Sequence, residues 1–176
     1  MEVKPCVIEF QAFRGNNDRF IIKELVILDL LTYVVYPFTF EAPFSFKRLN
    51  VKAKTTNKWI TNNFHHIQWY EGFISYTNLH SIMYHFCNQF THIYTRGLEK
   101  KNWIQQYTYS NVFDITMDKN FECSFGNICI SAKDPRHGTS QCALRNAYRL
   151  AAYLKQNKEC DEWYKYEGAT QLQHEY

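Results

Sequence analysis

Hydrophobic and polar positions change period several times along this chain. From Val7 to Phe13 apolar and mixed residues alternate, the period of a strand. Arg14–Asp18 follows as a turn, rich in residues that tolerate positive φ. Phe20 to Leu31 is dense in Ile, Val and Leu and forms a second strand, long enough to pair with the first as a hairpin. Tyr33 to Phe40 is β-branched and aromatic, a third strand that Pro37 places on an edge. Phe44 to Tyr76 lacks clear periodicity and predicts a helix with an excursion covering one face. Leu79, Ile82, Met83 and Phe86 share one helical face within Thr77–Asn88. Thr91–Thr95 is a short strand, Gly97 a turn, Leu98–Tyr107 a helix and Asn111–Thr116 a strand. Phe121–Thr139 is loop or short helix. Gln141–Gln156 carries Ala143, Leu144, Ala147, Leu150, Ala151 and Leu154 at helical spacing, the clearest helix in the chain. Residues after about Asn157 form a polar tail.

The order is three strands in an antiparallel meander, then alternating helices and strands: one α/β domain over residues 1–156, with a mixed sheet flanked by helices, and a tail over 157–176. The length of 176 residues suits one domain with a substantial core. An aromatic share of 18% excludes a disordered chain and supplies that core, with rings to spare for stacking on bases. A net charge of +3 permits nucleic-acid binding without demanding it. The opening residues carry Glu2, Lys4 and Glu9 and lack an apolar signal run. No stretch approaches the roughly 20 apolar residues of a membrane span. The expectation is therefore a cytoplasmic or nuclear protein without a membrane partner, whose cysteines are thiols or metal ligands rather than disulfides. Three of the six cysteines, Cys123, Cys129 and Cys142, fall in one region with His137.

This element order is ribonuclease H-like, and from about Val7 to Leu154 the chain resembles a DEDDh-type 3′–5′ exonuclease domain. In that family the first strand carries Asp-x-Glu, whose carboxylates hold a metal pair that clamps the scissile phosphodiester. The matching positions are Glu9 and Gln11, and a neutral amide is a poor ligand for a hard divalent cation. Glu99, in the stretch from Tyr94 to Trp103, sits at or near the family's next carboxylate. At the entrance to the last helix His137 matches the family His, but Cys142 stands where an Asp is required. The resemblance thus implies a degenerate exonuclease.

The departures resemble the Maelstrom domain, which is related to these exonucleases, lacks their carboxylates and carries a Glu-Cys-His-Cys zinc set. Glu24 lies on the second strand within Lys23–Val26, Cys142 opens the last helix within Cys142–Leu144, and Cys129 and His137 precede it. Ile93–Arg96 and Asn102–Ile104 also resemble that family. The resemblance implies a structural zinc ion held by Glu24, Cys129, His137 and Cys142, with Cys123 the rival for the Cys129 role. Zinc takes such a set as a tetrahedron, closed to water. Read without the family, Cys129-x7-His137-x4-Cys142 is a loose spacing, better satisfied by buried thiols and a loop histidine.

Lys47, Arg48, Lys52, Lys54 and Lys58, interleaved with Phe44, Phe46 and Trp59, combine phosphate-contacting charge with stacking surface, and Arg96, Lys100 and Lys101 could extend the patch. A solvated, flexible excursion is the bland reading of the same residues. His65 and His66 are adjacent and suit loop packing better than one shared metal. No Gly-rich phosphate loop, nucleophile elbow or Cys-x-x-Cys pair occurs. The resemblance implies a domain binding single-stranded RNA, acting with silencing-pathway proteins in small-RNA silencing such as the piRNA pathway, or in its antagonism. Two alternatives stand beside it: an active metal-dependent nuclease using Glu9, Glu99 and a further carboxylate such as Asp114, and a protein-interaction scaffold.

Overall fold

The computed structural model describes residues 3–118 and 142–156. Five strands form one mixed sheet in the order β3-β2-β1-β4-β5. They are β1 (Pro5–Arg14), β2 (Phe20–Asp29), β3 (Val35–Thr39), β4 (His92–Thr95) and β5 (Asn111–Asp114). β1 pairs antiparallel with β2, and β2 with β3. β4 runs parallel to β1, and β5 parallel to β4. Among the described residues four α-helices flank the sheet: α1 (Val51–Asn63), α2 (Leu79–Cys87), α3 (Leu98–Ile104) and α4 (Ala143–Gln156).

β1 and β2 are apolar on both sides because both faces of the sheet are covered. On one face Val7, Val26, Leu28 and Tyr94 meet Ala143, Ala147, Leu150, Ala151 and Leu154 of α4. The alanines of that stripe let the helix lie close to the sheet. On the other face Cys6, Ile8, Phe10, Ile22, Leu25, Ile27 and Ile93 pack with Leu79, Met83 and Cys87 of α2 and Ile104 of α3. A third cluster closes the far end of the hairpin, where Phe13 and Ile21 meet Leu49, Ala53 and Trp69.

Several expected boundaries move by a turn or less. β1 is longer than Val7–Phe13, and β2 stops at Asp29 because Asp29 bonds the N–H groups of Leu31 and Thr32 and turns the chain. α2 is preceded by a 3-10 turn at Tyr76–Asn78, and α3 continues as one through Gln105–Tyr107. Pro37 sits on edge strand β3, opposite Val26, as its missing N–H requires. The segment 44–76 holds α1 and then a loop that returns to β3, bridging Phe40 to Ile74. Gly72 allows that return: its φ is +134°, and a Cβ there would lie 2.2 Å from the Phe40 carbonyl oxygen.

The β1–β2 register shifts between Gln11 and Ala12, so Lys23 opposes no residue of β1. Its side chain is fully buried and its ammonium donates to three carbonyls, Phe40 at 2.7 Å, Trp69 at 2.9 Å and Glu71. Three donors meet three acceptors, which ties the bulge to the loop after α1. Burial pushes this ammonium down to about 8, against the pull of Glu71 and Glu41.

Candidate functional site

β1 and β4 run parallel, but their pairing ends at Val7–Tyr94, and beyond it β1 continues paired with β2 on its other side. Ligands of open α/β sheets favour such positions, beyond the carboxyl ends of strands where connections diverge. A cleft of about 470 Å³ opens here. Phe10, Gln11 and Arg14 of β1 and Phe20 of β2 line it, with Trp59 and Phe64 from the α1 side and Arg96 to Lys100 from the start of α3. Trp59 is 59% exposed and Leu98 61%, so the mouth carries apolar surface open to solvent.

Glu9, next to Phe10 in β1, is outside the cleft lining and has no exposed surface, but it bonds two residues of that lining, Arg96 and Lys100. Its Oε1 accepts from the Arg96 N–H at 3.0 Å and the Thr95 hydroxyl at 3.4 Å. Its Oε2 accepts from the Lys100 ammonium at 2.5 Å. A buried carboxylate needs a counter-charge, and here that charge comes from a side chain of the same chain. Lys100 also lies 4.9 Å from the centre of the Phe10 ring, so aromatic and carboxylate hold it together.

The other expected carboxylates are engaged elsewhere. Glu99 forms a two-pronged bond with Arg14, Oε2 at 2.8 Å from Nη2 and Oε1 bonded to Nη1. Each shifts the other: the guanidinium holds Glu99 below its ordinary range, and the carboxylate raises Arg14. Asp114 Oδ1 accepts from the Gly97 N–H at 2.7 Å and from the N–H and hydroxyl of Thr116 at 3.0 and 2.8 Å. Asp114 thereby fixes the turn that starts α3 and caps the turn after β5. Gly97 permits that turn with φ +100°.

α1 is fixed to the far end of β1, on the side away from β2, by Asn57, which is buried. Its Oδ1 accepts from the Arg14 N–H and its Nδ2 donates to the Arg14 carbonyl, both at 2.8 Å. These bonds replace the ladder that a neighbouring strand would supply. They also place Trp59 and Phe64 over the cleft.

Of the basic and aromatic residues expected to bind nucleic acid, Trp59, Arg96 and Lys100 line the cleft. Lys47, Arg48, Lys52, Lys54, Lys58 and Lys101 lie outside its lining, and Lys47, Arg48, Lys52 and Lys58 are exposed. Arg48 stacks on Phe44, 5.7 Å from the ring centre. The sequence reading did not single out Arg14, Phe20 or Phe64. Arg14 stood in a turn cluster, and its partners Glu99 and Asn57 are distant in sequence.

A second site lies under the start of α4. Glu24 and Cys142 are both buried, with Cys142 Sγ 3.6 Å from Glu24 Oε1 and the Ala143 N–H donating to Glu24 Oε2 at 2.9 Å. A sulfur at ~2.3 Å and an oxygen at ~2.0–2.2 Å from one tetrahedral zinc stand roughly 3.5–3.7 Å apart. The observed separation therefore fits shared coordination, and it also fits a thiol donating to the carboxylate. Cys123, Cys129 and His137 lie outside the described residues. Among the described residues no group of three or more His, Cys, Asp or Glu could hold a metal, and no helix is long and apolar enough to cross a membrane.

His65 is buried against Phe13, its Nδ1 accepting from the Ile67 N–H at 3.0 Å, whereas His66 is exposed with φ +60°. They face different surroundings, as adjacent residues in a turn do. No protein-family model matches this chain, and no curated protein matches it.

Proposed function

We propose that this chain is a ribonuclease H-like domain that binds single-stranded RNA in the cleft without metal catalysis, its last helix joined to the sheet by a structural zinc ion. The observation that carries this reading is Lys100. Its ammonium neutralises Glu9, the carboxylate that matches the exonuclease metal site, from inside the fold. The strand order, with β2 antiparallel between β3 and β1, supports the fold assignment.

The cleft suits one unpaired nucleotide and its neighbours. Its volume lies in the range of ligand sites. Trp59 and Phe64, both exposed, offer ring faces, and Arg96 offers charge for phosphate. Stacking on a ring is worth about 1–3 kcal/mol per base and tolerates any sequence. The exposed cations of α1 and the preceding turn, Lys47, Arg48, Lys52 and Lys58, would contact phosphates beyond it. Zinc would take Glu24 and Cys142 with Cys129 and His137, and would link β2 to α4. A role in small-RNA silencing or its antagonism rests on the resemblance to the Maelstrom domain.

Binding of a fluorescent single-stranded RNA, measured in chelator, tests the reading. Retention should persist without divalent ions, fall steeply as salt rises, and drop about tenfold in Trp59→Ala. A protein that ignores RNA in low salt would be a scaffold rather than a binder.

A further inference from the structure

We propose that the Arg14 guanidinium is a phosphate-binding site, occupied by Glu99 until nucleic acid displaces it. This deepens the reading of the cleft as a single-strand site and rests on it. Arg14 is held in place by groups other than Glu99. Its guanidinium stacks on Phe20, 4.3 Å from the ring centre, and Nη1 donates to the Asp18 carbonyl at 3.0 Å. Its main chain is clamped by Asn57. The fork is thus pre-aimed, and it lines the cleft.

The group now filling that fork is a carboxylate bound through both oxygens. Two non-bridging phosphate oxygens reproduce that arrangement, which is why Arg serves both partners. Burial decides whether exchange is cheap. The Glu99 side chain is 61% exposed and stands in the first turn of a short helix, so it can swing into water and rehydrate. Exposed ion pairs shift an equilibrium by about fivefold or less, with two-pronged pairs at the upper end. The neighbouring pair behaves oppositely: the Glu9 side chain is 0% exposed, so Lys100 cannot leave it without stranding a buried charge. Of these two pairs the Glu9–Lys100 pair is fixed and the Arg14–Glu99 pair exchangeable, so Arg14 rather than Lys100 can turn from its carboxylate to a ligand.

The test uses the full chain and a fluorescein-labelled oligouridylate, read by anisotropy at low salt. Glu99→Gln should bind about three- to fivefold tighter than the parent. Arg14→Gln should weaken binding, and adding Glu99→Gln to it should restore little, as a cycle on a coupled pair requires. Glu99→Gln binding no tighter, while Trp59→Ala still weakens, overturns the displacement and leaves the cleft reading standing. If neither parent nor Glu99→Gln retains the oligonucleotide, the cleft reading fails, and pyrophosphate decides the Arg14 site separately. The Arg14 Nε resonance should then respond to pyrophosphate at lower concentration in Glu99→Gln than in the parent. An unchanged resonance in both overturns the site. Thermal melts of each variant show that the fold is kept.

Discussion

Lys100→Met removes the internal cation from Glu9 and leaves the carboxylate in place. Glu9 is fully buried, so the charge cannot reach water. Breaking a buried pair from one side costs about 3–5 kcal/mol. Two contacts remain, from the Arg96 N–H at 3.0 Å and the Thr95 hydroxyl at 3.4 Å, and they bring the expectation to the lower end, about 3 kcal/mol. The reverse change, Glu9→Gln, strands Lys100 instead. That side chain is 20% exposed and can turn its ammonium outward, so the cost should be nearer 1–2 kcal/mol. The account therefore predicts an asymmetry: the lysine matters more to stability than the carboxylate it neutralises. Urea unfolding of both single variants and of the double variant measures it, with the slope compared to detect changes in the unfolded state. The double variant should be more stable than Lys100→Met alone, because the buried charge is gone. Glu9→Gln costing as much as Lys100→Met would refute the argument from burial.

Other outcomes follow from the same contacts. Asn57→Ala should cost about 1–2 kcal/mol in urea unfolding, since two partly buried main-chain groups of Arg14 lose their partners. Lys23 predicts a pH dependence with a definite sign. Its ordinary value is 10.5 and its folded value about 8, so between those limits the unfolded chain carries the extra proton. Stability from this group should rise with pH across that window, and Lys23→Met should lack the rise when urea midpoints are compared. Protein purified without chelator should contain zinc by elemental analysis. Cys142→Ser and Glu24→Gln should each lose it, and hydrogen exchange should show α4 opening first.

The hairpin at the centre of the sheet was legible because β1 and β2 are long, largely apolar runs broken by turn residues. α4 was legible because a small-residue stripe at helical spacing has one explanation, a helix against a flat face. Pro37 announced an edge through its missing donor. The boundaries were less clear, since 3-10 turns at Tyr76–Asn78 and Gln105–Tyr107 carry no distinct periodicity. The cleft was only partly legible. Trp59, Arg96 and Lys100 were marked by residue type, but the charge run from Lys47 to Lys58 drew attention to a surface outside the cleft. Which cation meets which carboxylate is set by topology: Lys100 reaches Glu9 only because β4 lies beside β1. Lys23 had a signal, a lone lysine inside Phe20–Leu28, a run otherwise apolar except for Glu24. Such a residue must be paired if the strand is central.

Whether Lys100 has replaced the metal at Glu9 is decided by cleavage and retention of a labelled single-stranded RNA, read in the same tube with magnesium, with manganese and with chelator. The account predicts intact RNA retained equally under all three conditions, because the ammonium of Lys100 already satisfies Glu9. Shortening of the RNA that needs a divalent ion and disappears in Glu9→Gln would contradict it.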